Sequence, residues 1–488
     1  MTVDRPEVAE AMEDVTGEPR WLWLPVVAWV VSLACALALT PTLDDWWAAT
    51  PLTRFDGSAF LPGVFWRPFE VALRFAVGAW PASYPWVMHL VVMLGHGLAA
   101  WFLVQLGLRF TRSRVTASWL ATLFIISPAV MMAAWSLDSA NQTWSTACGL
   151  GALWWRLKDP DRVLGPWLVW CVLALFWKES GAAWFIAAPL MTEGLLALDG
   201  RIERPRIAGA LKAIVLGLLL LALYFVVRKA LAVDGTITAR EGRYALNLSL
   251  VTTAKHVLML LGAAWSTVET VAAVSVMHRD VWVSALTGAL GVPLLGLALW
   301  HGRLRMPTIA FVCCALGAGA LMGPHAIFGR VSEMHTHPLL AATLVLFGVI
   351  VDGAALRSAL GRVALGLWVV GALGATGHKY MTWVATCEGA EQVRATLCAQ
   401  WEGPPVHNVC TVWRKDRPQG YATFSAGHYE AAGSGRALMA DWGWDPDFDT
   451  VTTYDVAKCP EPWTEAVIRF DEASGPTVER VAPREVTP

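Results

Sequence analysis

The feature that most constrains this chain is a run of about 20 apolar residues that keeps recurring, the length a helix needs to cross a bilayer. Such runs lie at roughly 21–41, 85–108, 116–135, 140–157, 164–177, 181–198, 208–232, 281–300, 307–325, 337–352 and 363–377. The runs at 164–177 and 363–377 are short, and their ends are expected to extend into flanking residues. In lipid each backbone N–H and C=O must find its partner within the protein, so segments of this length become helices. Composition agrees: 56% of the residues are hydrophobic and 16% are charged, against about 25% charged in soluble domains. Trp, which favours the membrane interface, occurs 28 times. The formal charge of −2 gives no global field for nucleic acid, which is excluded as a partner. An all-α polytopic membrane protein with about 11 transmembrane helices is expected.

Residues 1–20 are mixed in charge, mostly acidic, and lack the basic start of a signal peptide. They read as a cytosolic N-terminal tail before an uncleaved first span. Orientation follows from the basic loops, which belong on the cytosolic side. Arg109/Arg112/Arg114, Arg156/Lys158/Arg162, Arg201/Arg204/Arg206, Arg303/Arg305 and Arg357/Arg362 mark these loops. They share one side only if the stretch 244–277 does not cross. That stretch is apolar but interrupted by Lys255, His256, Thr267, Glu269 and Thr270, and is read as an interfacial or re-entrant helix on the outer side. The N-terminus is then inside and the C-terminus outside.

Residues 21–377 are expected to form the membrane domain, with an outer loop at 42–84, and residues 378–488 a separate extracytoplasmic domain. The tail is polar, rich in Gly, Pro and acids, and contains alternating stretches such as "VTTYDVAKC" and "EAVIRF", which read as strands. Cys35, Cys148, Cys171, Cys313 and Cys314 lie within apolar runs and act as small hydrophobes. Cys387, Cys398, Cys410 and Cys459 all follow the last run. An even set in an exported tail reads as two disulfides; zinc is the alternative, although no pair has CxxC spacing.

Polar residues gather on the outer side beyond what topology requires. "LDDWWAATP" places Asp44 and Asp45 at the end of the first span. "VFWRPFEVALRFAVGAW" reads as an interfacial helix, with Arg67, Glu70 and Arg74 at helical spacing and Trp66 and Trp80 near its ends. His89 and His96 stand seven residues apart on the second span, about 10 Å apart in depth. "FWKESG" sets Lys178 and Glu179 at an outer helix end, and "FGRVSEMHTHP" sets Arg330, Glu333, His335 and His337 at another. Each has a plainer reading. The acids can be a solvated helix terminus, Lys178–Glu179 a capping pair, Arg330 an anchor, and His96 a residue bonded to a neighbouring helix. Co-location favours function: basic groups hold a phosphate while a carboxylate accepts a proton from an acceptor hydroxyl.

The ordered stretches "LDDWW", "FWRPFEVALRFAVG", "HLVVMLGHGLAAWFL", "SPAVMMAAWSLDSA", "LALFWKESGAAWFIAAPL" and "SEMHTHPLLAATLVLFG" cover about 40–350. Together they resemble the GT-C superfamily of lipid-phosphate-dependent glycosyltransferases. The local match is to the branch of the protein O-mannosyltransferases with C-terminal TPR repeats and their bacterial relatives. The resemblance implies a polyprenyl-phosphate-linked sugar donor and a glycan, lipid or protein acceptor, at the outer face of a bacterial inner membrane. It implies Asp44 or Asp45 as catalytic base, Arg67 at the donor site, Lys178 and Glu179 near the lipid phosphate, and a role for Glu333. Attack opposite the phosphate would invert the anomeric carbon. The only cofactor in view is a divalent cation, which some members use and which two adjacent acids would accommodate. The chain departs from the family pattern at Ser127-Pro128, at Leu137-Asp138 and in "MHTHP", and no TPR array follows. A transporter or flippase of polyprenyl-linked intermediates and an inactive membrane scaffold are the rival readings. No paired halves, as a transporter would show, are visible.

Overall fold

In the computed structural model, residues 22–40, 60–62, 66–78, 84–111, 114–203, 205–232, 249–265, 308–327, 333–351, 359–400, 408–412, 449–453, 466–471 and 475–480 are described. Asp44, Asp45, Arg330 and Cys459 lie outside them, as do Trp80, Arg240, Arg243 and the apolar run 281–300.

The described chain is mostly helical. Its helices are α1 (Trp23–Leu37), α2 (Pro68–Gly78), α3 (Tyr84–Phe110), α4 (Arg114–Ile126), α5 (Met131–Trp135), α6 (Ala140–Lys158), α7 (Pro166–Trp177), α8 (Trp184–Leu198), α9 (Ile207–Leu231), α10 (Leu250–Trp265), α11 (Thr308–Ala326), α12 (Thr336–Val351) and α13 (Ala359–Gln400). Four segments are long and apolar enough to cross a membrane: Pro85–Phe110, Glu179–Leu198, Ile207–Leu231 and Thr308–Ala326. The run expected at 116–135 is not one straight helix. It is bent by 54° between α4 and the segment beginning at Pro128. Ser127 takes an extended backbone there and its hydroxyl accepts from the Ala129 N–H; Pro128 has no N–H to continue the ladder. α1, α7 and α10 are apolar but shorter.

The helices differ in what they face. On α9, Leu211, Val215, Leu219, Leu223 and Val226 are all exposed, as suits a helix bathed in lipid. α8 and α6 carry mainly buried residues instead and form the centre, with Trp135, Trp167, Trp184, Phe124 and Phe185 among the fully buried side chains.

Three of the basic loops meet at one end of this bundle. Arg109 donates to the Leu157 carbonyl at 2.7 Å, Arg201 to the Arg109 carbonyl at 2.6 Å, and Arg156 to the Arg162 carbonyl at 2.7 Å. Arg206 pairs with Asp161 and, at 3.1 Å, with the buried Glu193. The polar segments gather at the other end of α6: from Asn141 to Arg156 is about 22 Å of helix rise.

The boundary expected between residues 377 and 378 falls inside α13, which runs unbroken to Gln400. Polar residues replace apolar ones along α13 without a proline to interrupt it. Beyond it, β1 (Asn408–Val412), β2 (Asp449–Thr453), β3 (Ala466–Asp471) and β4 (Gly475–Arg480) form one sheet in the order β2-β1-β3-β4. β1 pairs parallel with β2 and β3, and β3 pairs antiparallel with β4. Cys410 on β1 is disulfide-bonded. Cys387 and Cys398 stand eleven positions apart on α13, about 16 Å along its axis, too far to bridge one another. The Cys387 thiol donates to the Thr40 carbonyl at 3.2 Å, tying α13 to the end of α1.

Candidate active site

The site is built from helix ends. α7 stops at Trp177, and Lys178 adopts an extended backbone (φ −154°, ψ 136°) before the 3₁₀ turn Glu179–Ala183. The turn doubles back tightly on α7, with the Gly181 N–H bonded to the Lys178 carbonyl at 2.8 Å. A Cβ on Gly181 would lie 2.3 Å from the Ala174 carbonyl oxygen, which explains the glycine in "FWKESG". Two further 3₁₀ turns, Leu137–Ser139 and Glu333–His335, and the start of α2 complete the cluster.

Arg67 and Glu179 form its first element. Arg67 Nε donates to Glu179 Oε2 at 3.1 Å, and the Trp66 backbone N–H donates to Glu179 Oε1 at 2.6 Å. Arg67 Nη1 lies 3.5 Å from Glu70 Oε2. Burial works against the charge on Arg67, but Glu179, Glu70 and Asp138 outweigh it and raise the guanidinium's pKa further. Arg67 is therefore a fixed cation.

Asn141 is the hinge between this pair and Lys178. Its Nδ2 donates to Glu70 Oε2 at 2.8 Å and to the Asp138 carbonyl at 3.0 Å, while its Oδ1 accepts from Lys178 Nζ at 3.3 Å. The neighbours fix the amide's orientation, since the oxygen faces an ammonium and the nitrogen a carboxylate. Sequence reasoning missed Asn141; "LDSAN" gave a signal only in its placement after an outer helix break.

Lys178 is only 7% exposed. Its ammonium contacts Asn141 Oδ1 and, at 3.7 Å, Met334 Sδ, both neutral. Among the described residues it makes no ion pair, because Glu179 and Glu70 are turned to Arg67 and Asn141. Burial first, and the Arg67 charge next, push its pKa down to about 8, with Asp138, Glu179 and Glu70 acting in opposition. The structure thus holds a buried cation with neutral direct partners, an arrangement that is costly unless an anion completes it.

Glu333, expected beside the phosphate, is engaged elsewhere. It is fully buried and pairs with Lys379 of α13, whose ammonium also donates to the Pro128 carbonyl at 3.0 Å. The Thr336 hydroxyl is within hydrogen-bonding distance of the Glu333 and Ala129 carbonyls. This network fastens three elements together. The sequence hid it because Lys379 sits 46 residues away, in what read as a separate tail.

The histidines divide. His335 follows Met334 and stacks on His325 of α11, with ring centroids 3.8 Å apart. His89 Nε2 lies 3.2 Å from the Leu39 carbonyl, at the end of α1. His96 Nδ1 lies 3.0 Å from His337 Nε2, and His337 Nδ1 lies 2.9 Å from Thr146 Oγ1. Thr146 spends its proton on the Gln142 carbonyl at 2.9 Å. His337 must then carry its proton on Nδ1 and His96 on Nδ1, leaving His96 Nε2 a bare lone pair without a partner among the described residues. The pair lies inside the bundle against Phe124, so it reads as interhelical glue between α3, α6 and α12. Among the described residues no group of three or more His, Cys, Asp or Glu is placed to hold a metal.

No family profile matches the sequence, and no curated protein matches it. Among solved structures the chain is similar to the crystal structure of ArnT from Cupriavidus metallidurans bound to undecaprenyl phosphate. The two are 12% identical, the match covers 92% of each chain, and the TM-score is 0.46, a level of likeness that does not establish a common fold.

Proposed function

We propose that the protein is a membrane glycosyltransferase that moves a sugar from a polyprenyl-phosphate donor to an acceptor hydroxyl on the outer face of a bacterial inner membrane. The observation that carries this reading is the buried Lys178 ammonium with neutral direct partners. It sits where polar helix ends meet an apolar bundle, within the cluster anchored by Arg67, Glu70, Asn141 and Glu179. A lipid-linked phosphate supplies the missing anion while its tail stays among the apolar helices.

In the proposed reaction the C1–O bond to the donor phosphate breaks as the bond from C1 to the acceptor oxygen forms. The departing electron pair goes to the lipid phosphate, which Lys178 stabilises. Asp44 takes the acceptor's proton, with Asp45 binding the acceptor, a cation or a basic side chain, and attack opposite the phosphate inverts C1. The His89 contact with the Leu39 carbonyl and the Cys387 contact with the Thr40 carbonyl anchor the chain a few residues before this acid pair. Glu179 acts by fixing Arg67, and Arg330 is proposed as a further donor-binding cation. The N-terminus is inside, and the sheet that follows α13 lies outside with the acceptor.

The test is binding by the purified protein in lipid nanodiscs. Polyprenyl phosphate should bind and raise the unfolding temperature, whereas the matching polyprenyl alcohol should not. Equal effects of the two lipids would remove the phosphate site and with it the donor class.

A further inference from the structure

His325 carries no motif in the sequence, yet in the structure it is a side chain available to complete a site at Lys178. It lies at the end of α11, where Pro324 precedes it and the helix closes at Ala326. α11 packs against the Glu179–Ala183 turn and against α12, and its end is held by His256, whose Nδ1 lies 3.0 Å from the Ala326 carbonyl. The His325 ring is 3% exposed, and its Nε2 has no hydrogen-bond partner among the described residues. A buried, unsatisfied ring nitrogen is costly, and such a group calls for a ligand or a water. The ring lies within electrostatic range of Lys178. It is also stacked, at 15° between planes, on His335, the residue next to the Met334 thioether that takes the Lys178 ammonium. The electrostatic interaction with Lys178 and the stack on His335 both tie His325 to the neighbourhood of this ammonium.

We propose that His325 is an anion contact of this site, its Nε2–H donating to a non-bridging phosphate oxygen of the group held by Lys178, with His335 fixing the ring plane. The proposal rests on the phosphate reading of Lys178 and adds to it a second donor from a helix unrelated in sequence to the Lys-Glu turn. The carboxylates of the cluster do not compete for this nitrogen, since Glu179 and Glu70 are bonded to Arg67, Trp66 and Asn141. A neutral imidazole and an ammonium side by side also repel less than two fixed cations would, which suits a site that must exist empty as well as filled.

The experiment measures affinity in nanodiscs for polyprenyl phosphate, polyprenyl alcohol and inorganic phosphate, with wild type, His325→Leu and His325→Gln. Loss of a hydrogen bond to a charged group should weaken polyprenyl phosphate binding about tenfold or more in His325→Leu. His325→Gln, which retains an N–H at similar reach, should recover most of it, and alcohol binding should not change. A loss confined to inorganic phosphate would identify a free phosphate as the ligand and overturn the lipid assignment. Wild-type affinity in a folded His325→Leu protein would overturn the proposal alone. Failure of wild type to bind either phosphate would overturn the reading of Lys178 as well. Should His325→Leu not fold, His325→Asn, polar but too short to reach, takes its place with the same expected loss.

Discussion

Replacing Lys178 by Met keeps the chain length and removes the charge, so it separates what the ammonium costs the fold from what it does for a ligand. In the native protein the pKa falls from 10.5 to about 8. At about 1.4 kcal/mol per tenfold in proton affinity, holding the charged form in the empty site costs on the order of 3 kcal/mol. Lys178→Met relieves this and loses one hydrogen bond to Asn141, worth about 1 kcal/mol. The ligand-free variant should therefore be as stable as wild type or up to about 2 kcal/mol more stable at pH 7. Because the native state releases the Lys178 proton before the unfolded chain does, wild-type stability should rise relative to the variant between pH 8 and 10.5. Ligand binding should move the other way. Polyprenyl phosphate should lose about tenfold to a hundredfold in affinity in the variant, as for a charge-assisted bond. In wild type its affinity should be level between about pH 7 and 8, where the phosphate is already largely doubly ionised, and then decline by up to tenfold per pH unit toward that of the variant, as the ammonium deprotonates. Unfolding monitored with and without the lipid, across this pH range, reads both effects. A destabilised Lys178→Met protein that binds polyprenyl phosphate normally would show that the ammonium is a structural group, and the argument from an uncompensated charge would fail.

Asp44→Asn should abolish sugar transfer, the loss of a positioned base being worth about 10²–10⁴-fold, while lipid phosphate binding persists; wild-type transfer in both Asp44→Asn and Asp45→Asn would return the pair to a solvated helix end. Lys379→Met should destabilise the protein by about 3–5 kcal/mol, since it strands the buried Glu333 carboxylate, and Lys379→Met with Glu333→Leu should recover much of this in thermal unfolding. A cysteine introduced at the exposed Glu203 should label only from the cytosol and one near Arg240, in the loop that leads into the outer 244–277 stretch, only from outside, with the reverse pattern inverting the proposed orientation. Mass spectrometry of non-reduced digests should join Cys410 to Cys459; a Cys459 thiol in protein isolated from membranes would refute that pairing.

What the sequence determined by itself is what hydropathy and short motifs encode within about 20 residues of chain. The apolar runs and the basic loops were readable there, because each depends on neighbours in sequence, whereas the bend at Pro128 and the tight turn at Gly181 emerged only in the structure. Arg67, Lys178 and Glu179 were also visible as charged groups at helix ends. Their partnerships were decided by tertiary structure alone. Trp66 meets Glu179 across 113 residues, Lys178 meets Met334 across 156, and His96 meets His337 across 241. No local pattern specifies such separations; the packing of α6, α7, α8, α11 and α12 does. That packing turned Asn141 into the link between a carboxylate and an ammonium and drew Glu333 to Lys379. It also carried α13 through the place where composition suggested a domain boundary. It left the Lys178 ammonium with only neutral groups in direct contact, and this follows from the third dimension, because the partners of a charge are set by what surrounds it in space.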